Sequence, residues 1–207
     1  MVEGYGMVEL SGAASVRLHL PVVGPIPPGD LGFPVPPYRV RVVDDSGRPV
    51  PPFRIGQLEV KGPGLLTGYR NRPEASAEVM RNGWLRTGDL ASWGPFGMRF
   101  EGRSKDVVKV GGFSVFPREV EDELRRCPGV ADVAVVGLPD EVKGEVLGAA
   151  VERVLGSALS AGDVEAFARA EVAGYRRPAR VIVLDELPRN PNRKVVKAEV
   201  RKLFGDE

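Results

Sequence analysis

Apolar and polar residues alternate over 38–43 (Tyr-Arg-Val-Arg-Val-Val) and again over 55–61 (Ile-Gly-Gln-Leu-Glu-Val-Lys), the two-residue period of strands with one face covered. Asp44-Asp45-Ser46-Gly47 between them supplies turn chemistry, so this part reads as a hairpin, and residues 16–62 as an antiparallel sheet or a small barrel. Gly62-Pro63-Gly64 breaks the pattern. Residues 73–80, with Pro73 in the first turn and acids near the start, read as a short helix, 82–90 as a loop, and 98–101 as a strand. The periodicity then changes. Residues 107–110 and 113–115 flank Gly111-Gly112 as a tight hairpin, and Pro117 opens a helix to about residue 126 with Val120 and Leu124 one turn apart. Apolar runs at 130–138 and 146–154 read as strands, Ser160 as the N-cap of a second helix ending near Gly174, 181–184 as a strand and 196–204 as a closing helix. The expected fold class is α+β: a small antiparallel β-barrel-like subdomain over 1–101, then a compact α+β lid domain over 102–207.

Composition narrows the function classes. The 207 residues carry 29 Lys and Arg against 28 Asp and Glu, a balance that speaks against nucleic acid as a partner, so a charged ligand has to be met locally. One cysteine, Cys127, excludes an internal disulfide, and one histidine, His19, excludes a Cys/His zinc cluster; both read as structural. No apolar run is long enough to span a membrane and no leader pattern opens the chain, so a cytoplasmic location is the expectation. Gly (26) and Pro (19) are frequent, which with this much Val and Leu indicates many turns, and the seven prolines within 21–37 exclude a helix there. Between residues 176 and 202 lie nine Lys/Arg and three Asp/Glu; this local surplus reads either as a solvated basic tail or as an anion site for phosphates.

Taken singly, the polar motifs are weak. Gly62-x-Gly64-x-x-x-Gly68 has the wrong spacing for a phosphate loop, Gly111-Gly112 alone is a hairpin turn, and Asp89 alone is a surface acid. Their joint order is more specific. Tyr5-Gly6-x-x-Glu9 comes first, then Gly56-Gln57-Leu58-x-Val60-x-Gly62-Pro63 ending in Gly68-Tyr69, then Arg86-Thr87-Gly88-Asp89-Leu90. Gly102-Arg103-Ser104-Lys105-Asp106 follows with Lys109, Gly112 and Glu119, and Leu187-Pro188-Arg189-Asn190-Pro191-x-x-Lys194 closes the series.

In this order the chain resembles the later core motifs of the adenylate-forming (acyl-CoA synthetase, AMP-binding) superfamily, C-terminal portion only. The Gly-Arg-Ser-Lys-Asp form and the Gly-Gly-Phe-Ser-Val-Phe-Pro-Arg-Glu-Val-Glu continuation are most similar to fatty-acyl or aryl-acyl CoA ligases. The resemblance implies an ATP-dependent route from carboxylate to acyl-adenylate to acyl-CoA. It implies that Asp89 accepts hydrogen bonds from the ribose of ATP/AMP, that Arg103 supports the same nucleotide, that Tyr5 packs on the adenine and that Glu9 holds Mg²⁺. Lys194 corresponds to the lysine that bridges the attacking carboxylate and the α-phosphate, Lys105 to a hinge, and Gly111 and Gly112 to a wall of the coenzyme A tunnel.

The same resemblance implies a larger N-terminal portion with the phosphate loop and acyl pocket. The stretch 3–9 has no lead-in element, and a domain rarely begins so abruptly. The chain is therefore expected to be incomplete alone and to need a separately encoded N-terminal half, or to self-associate through an apolar face of residues 1–101. Departures lie at Val8, where the family has Thr, at Asn192-Arg193, where it has Ser-Gly, and at Gly94-Pro95-Phe96-Gly97, where it has an acidic turn. These leave a second reading open: a catalytically retired remnant serving as a nucleotide/CoA-binding or protein-interaction module.

Overall fold

The computed structural model describes residues 2–18 and 29–205, with the backbone alone at residues 2, 3 and 18. His19 and the prolines from 21 to 28 lie outside the described residues. The chain divides into two compact units, Met1–Lys105 and Asp106–Glu207.

Unit 1 is built from β1 (Val2–Met7), β2 (Gly12–Leu18), β3 (Asp30–Pro34), β4 (Arg39–Val43), β5 (Gly56–Lys61), α1 (Pro73–Val79), β6 (Met80–Arg81), β7 (Trp84–Gly94) and β8 (Gly97–Arg103). The strands form one antiparallel sheet in the order β1-β2-β3-β8-β7-β5-β4, with β6 added on β7. Antiparallel pairing is as expected from the alternation, but the barrel is not: among the described residues β1 and β4 are the two ends of an open sheet. Leu10, Ala14, Val42, Leu58, Val60, Leu85, Ala91 and Met98 fill the core on one face.

The expected loop at 82–90 is a strand. Asn82 and Gly83 take left-handed φ values of 54° and 75°, which turns β6 into β7, and from Leu85 the chain pairs with β5. The polar Thr87-Gly88-Asp89 residues suggested a loop, yet they form an irregularity within the strand. Glu59 pairs with Arg86 and Gln57 with Leu90, so three residues of β7 stand opposite one of β5. Gly88, at φ 76°, supplies the backbone freedom for it.

Unit 2 comprises β9 (Val108–Val110), β10 (Phe113–Val115), α2 (Pro117–Leu124), β11 (Val130–Asp140), β12 (Gly144–Arg153), α3 (Ala161–Glu171), β13 (Arg180–Leu184) and α4 (Lys197–Lys202). The sheet order is β10-β9-β12-β11, with β13 running parallel to β12. The apolar run of β11 is nearly continuous because both faces are covered. Val133 and Val135 pack with Val120, Leu124, Val164 and Ala168 of α2 and α3, while Ala134, Val136 and Leu138 pack with Leu187, Val200 and Phe204 on the other face. The Ser160 cap is present as a capping box: its hydroxyl accepts from the Asp163 amide, and Asp163 accepts from the Ser160 amide. Cys127 is buried, in keeping with a packing role. No helix among the described residues is long and apolar enough to cross a membrane.

Candidate functional site

The first cluster lies in unit 1. Asp89 of β7 stands directly opposite Arg103 of β8, and its carboxylate is only 12% exposed. Arg103 Nε lies 3.6 Å from Asp89 Oδ1, while the Arg103 side chain stays 59% exposed and open to a ligand. Tyr5, contributed by β1 from 84 residues away, donates its hydroxyl to Asp89 Oδ2 at 2.6 Å. Thr87 locks the irregular strand: its hydroxyl donates to the Leu58 carbonyl at 2.9 Å and accepts from the Asp89 amide at 3.1 Å. Asp89 is thus a mostly buried carboxylate with one oxygen turned toward a cation and the other toward a phenol. That arrangement suits an acceptor for vicinal hydroxyls.

Burial pushes the Tyr5 phenol well above its usual range, and the hydrogen bond to Asp89 and the charge of Asp89 push in the same direction; Thr87 and Arg103 oppose them less strongly. A group with a raised folded-state pKa contributes stability that is intact below its unfolded value of about 10 and is lost as the pH rises above it. In an alkaline titration, Tyr5 should therefore ionise only as unit 1 unfolds. The Tyr5→Phe variant should lack that late tyrosinate step, and the same late step in both proteins would contradict this.

Glu9 sits in the short 3₁₀ turn Val8–Leu10 after β1, half-buried. Its Oε1 accepts from the Tyr69 hydroxyl at 3.1 Å, and its carbonyl accepts from the Leu66 amide at 2.8 Å. The phenol of Tyr69 is raised by desolvation and then by this contact with Glu9. Val8 beside it is 93% exposed, a methyl surface where a hydroxyl would reach solvent. No group of three or more His, Cys, Asp or Glu residues converges among the described residues, so any cation here would rest on one carboxylate and on ligand oxygens.

Lys105 is exposed in the single 3₁₀ turn Ser104–Asp106, and Gln57 donates to the Ser104 hydroxyl at 3.0 Å just before it. In unit 2, Gly111 and Gly112 take φ values of 55° and 86°, the pair of left-handed conformations that a two-residue turn between β9 and β10 requires. Among the described residues no atom lies within 4 Å of where a β-carbon would stand at either glycine, so the turn is bare on its outer side. The exposed rings of Phe113 and Tyr175 stack beside it with centroids 5.3 Å apart.

Lys194 lies in the turn closed by the Arg189–Val195 bridge. The Asn190 amide donates to the Lys194 carbonyl at 2.9 Å, the Lys194 amide to Asn190 Oδ1 at 2.9 Å, and the Arg193 amide to the Asn190 carbonyl at 2.8 Å. Arg193 adopts a left-handed φ of 60°, the conformation a glycine would take there, so the turn persists with a side chain at a small conformational cost. Arg193→Gly should leave the turn intact and change stability by less than about 1 kcal/mol, the relief of strain being partly offset by the freedom of glycine in the unfolded chain. A thermal melt of the two proteins checks this; a destabilisation larger than that would mean the Arg193 side chain has a structural task. The Lys194 ammonium is exposed, and no hydrogen bond or ion pair engages it among the described residues.

Four of the nine basic residues of 176–202 form ion pairs within unit 2. Arg176 meets Glu119 and Glu123, Arg189 meets Asp132 and Glu152, Lys197 meets Glu121, and Lys202 meets Glu199. Tyr69, Thr87, Gln57 and Arg189 were not singled out as site residues by the sequence. All four stand inside the quoted motifs, which assign them no role of their own.

Residues 1–70 match the family model described as AMP-binding enzyme, and residues 119–194 match the model described as AMP-binding enzyme C-terminal domain. The chain is 38% identical over 202 residues to a long-chain-fatty-acid–CoA ligase of Escherichia coli O6:H1, covering 97% of this chain and 35% of that protein. It is 40% identical over 205 residues to a feruloyl-CoA synthase of Amycolatopsis sp, covering 99% and 41%. Among solved structures it is similar to ATP-bound MatB from Rhodopseudomonas palustris, with a TM-score of 0.89 and 36% identity over 99% of this chain and 41% of that one. The o-succinylbenzoate coenzyme A synthetase MenE of Bacillus subtilis in complex with AMP matches with a TM-score of 0.79 and 30% identity, over 100% and 41%. The chain thus spans between about a third and two fifths of the length of these relatives. With both family models matched in order and the same overlap found in each relative, the chain belongs to the AMP-binding, adenylate-forming enzyme family and corresponds to the C-terminal portion of its members.

Proposed function

We propose that this chain is the part of an acyl-CoA ligase that supports the nucleotide and supplies the lysine of the adenylation step, acting with an N-terminal portion that carries the acyl pocket. The observation that carries the reading is the convergence of Tyr5, Asp89 and Arg103, residues far apart in sequence, on one buried carboxylate. Asp89 accepts the ribose hydroxyls, Arg103 pairs with that carboxylate and faces the nucleotide, and Tyr5 sets the adenine side of the site. Glu9 would hold Mg²⁺ with the help of the nucleotide's phosphates, and such a cation neutralises phosphate charge during adenylation.

Lys194, a compact ammonium on a flexible stem with no partner among the described residues, suits the charge that develops on the α-phosphate as pyrophosphate leaves. Lys105, the last residue of unit 1, serves as the pivot about which unit 2 turns as a lid. The bare Gly111-Gly112 turn then takes the place of Lys194 to let the coenzyme A thiol approach. Phe33, Phe53 and Phe96 are exposed on unit 1, a supply of apolar surface for the N-terminal portion or for a second copy.

The test is ATP–pyrophosphate exchange with the N-terminal portion of an acyl-CoA ligase supplied in fusion. Carboxylate-dependent exchange supports the reading. A folded fusion that binds ATP and carboxylate yet never exchanges pyrophosphate would sink it.

A further inference from the structure

We infer that Arg189 is a positioning residue for Lys194, fixing the carbonyl of Arg193 and with it the direction in which the turn presents the lysine. The importance of that direction rests on the role proposed for Lys194; the contact itself does not. Asp132 and Glu152 stand directly opposite each other on β11 and β12, an arrangement of like charges that is unfavourable without a cation between them. Arg189 Nη2 supplies it, at 2.8 Å from Asp132 Oδ2 and 3.1 Å from Glu152 Oε2. Its Nη1 donates to the Arg193 carbonyl at 3.1 Å.

The carboxylates are themselves fixed. Glu152 Oε2 accepts from the Leu187 amide at 2.9 Å, and Asp132 Oδ1 accepts from the Val133 amide at 2.9 Å and from Arg125 Nε at 3.2 Å. Burial of Asp132 opposes its ionisation, but the hydrogen bonds from Arg189, Val133 and Arg125 outweigh it and hold the carboxyl below the usual range. Among the described residues, no other side chain from outside the turn hydrogen-bonds its backbone between 190 and 194; the remaining bonds are the turn's own. The rigid, planar fork of arginine reaches two carboxylates with one nitrogen and a carbonyl with the other, which a lysine ammonium on a flexible stem does not reproduce.

The experiment is amide hydrogen exchange on the full chain, read by NMR, for Arg189→Ala and Arg189→Lys beside the parent, with the melting temperature of each. In Arg189→Ala the Lys194 amide should exchange about tenfold faster or more, the effect of losing one charge-assisted hydrogen bond, while amides in the middle of β11 and β12 keep their rates. Arg189→Lys, which keeps a cation between the carboxylates, should recover the melting temperature but leave the Lys194 amide fast. An unchanged Lys194 amide in Arg189→Ala, or an acceleration spread evenly through β11 and β12, would overturn the inference. In the fused enzyme Arg189→Ala should lower kcat for adenylation with KM for ATP unchanged. Should Lys194→Ala leave pyrophosphate exchange intact, the proposed function falls, and the exchange data still decide what Arg189 does.

Discussion

Replacing Lys194 with alanine should lower carboxylate-dependent ATP–pyrophosphate exchange by about 10²–10³-fold, the cost of removing one preorganised group aimed at developing charge. The melting temperature should not move. Lys194 is exposed and its ammonium has no partner among the described residues, so the fold loses nothing when it is truncated. The contacts that shape the turn belong to other groups: the backbone, Asn190 and Arg189. A large loss of exchange with an unchanged melt separates a residue that acts on the substrate from one that supports the protein. A loss of less than about threefold would place the chemistry elsewhere.

The second large effect is structural. Gly97 opens β8 at φ 106°, and a β-carbon there would collide with the Gly32 carbonyl of β3. The obstruction is backbone on a neighbouring strand, not the end of a flexible side chain, so the sheet has to open at its centre to admit it. Gly97→Ala is expected to destabilise unit 1 by roughly 3 kcal/mol or more, combining left-handed strain with the clash. Gly47→Ala is the matched control. Its φ is 84° but nothing lies within 4 Å, so only the conformational cost of about 1–2 kcal/mol remains. Both tryptophans, Trp84 and Trp93, lie on β7, so tryptophan fluorescence in urea reports unit 1 alone. Equal midpoints for the two variants would refute the steric argument.

The elements of unit 2 were legible in the sequence because their signals are local. Ser160 with Asp163 three residues on is a capping box, Pro117 is a first-turn proline, and the apolar runs of β11 and β12 are long enough to need cover on both faces. Unit 1 was legible as antiparallel pairing, but its closure was not. Whether a twisted sheet curls shut depends on which edge strands meet, and alternation carries no information about that. The stretch 82–90 reads as a loop because Asn82-Gly83 and Thr87-Gly88-Asp89 are residue types that favour turns, whereas Leu85, Leu90 and Ala91 are buried and hold the segment in the sheet.

For the candidate site, the resemblance puts Asp89 and Arg103 on the same nucleotide and so near each other, but it does not give the contact of Tyr5 with Asp89. Only the pairing of β7 with β8, and the path of the sheet out to β1, brings them together. Tyr69 and Arg189 stand in the quoted motifs without a role for a similar reason. Each acts through one hydrogen bond to a residue whose position is set by tertiary structure, Glu9 in the first case and Arg193 in the second.

The two steps proposed for the ligase make opposite demands on Lys194, and this permits a direct comparison. With pre-formed acyl-adenylate and coenzyme A, the fused Lys194→Ala enzyme should form thioester within about threefold of the parent rate, although its adenylation is lost. Thioester formation falling as far as adenylation would contradict the assignment of Lys194 to the first step and the exchange of turns about Lys105.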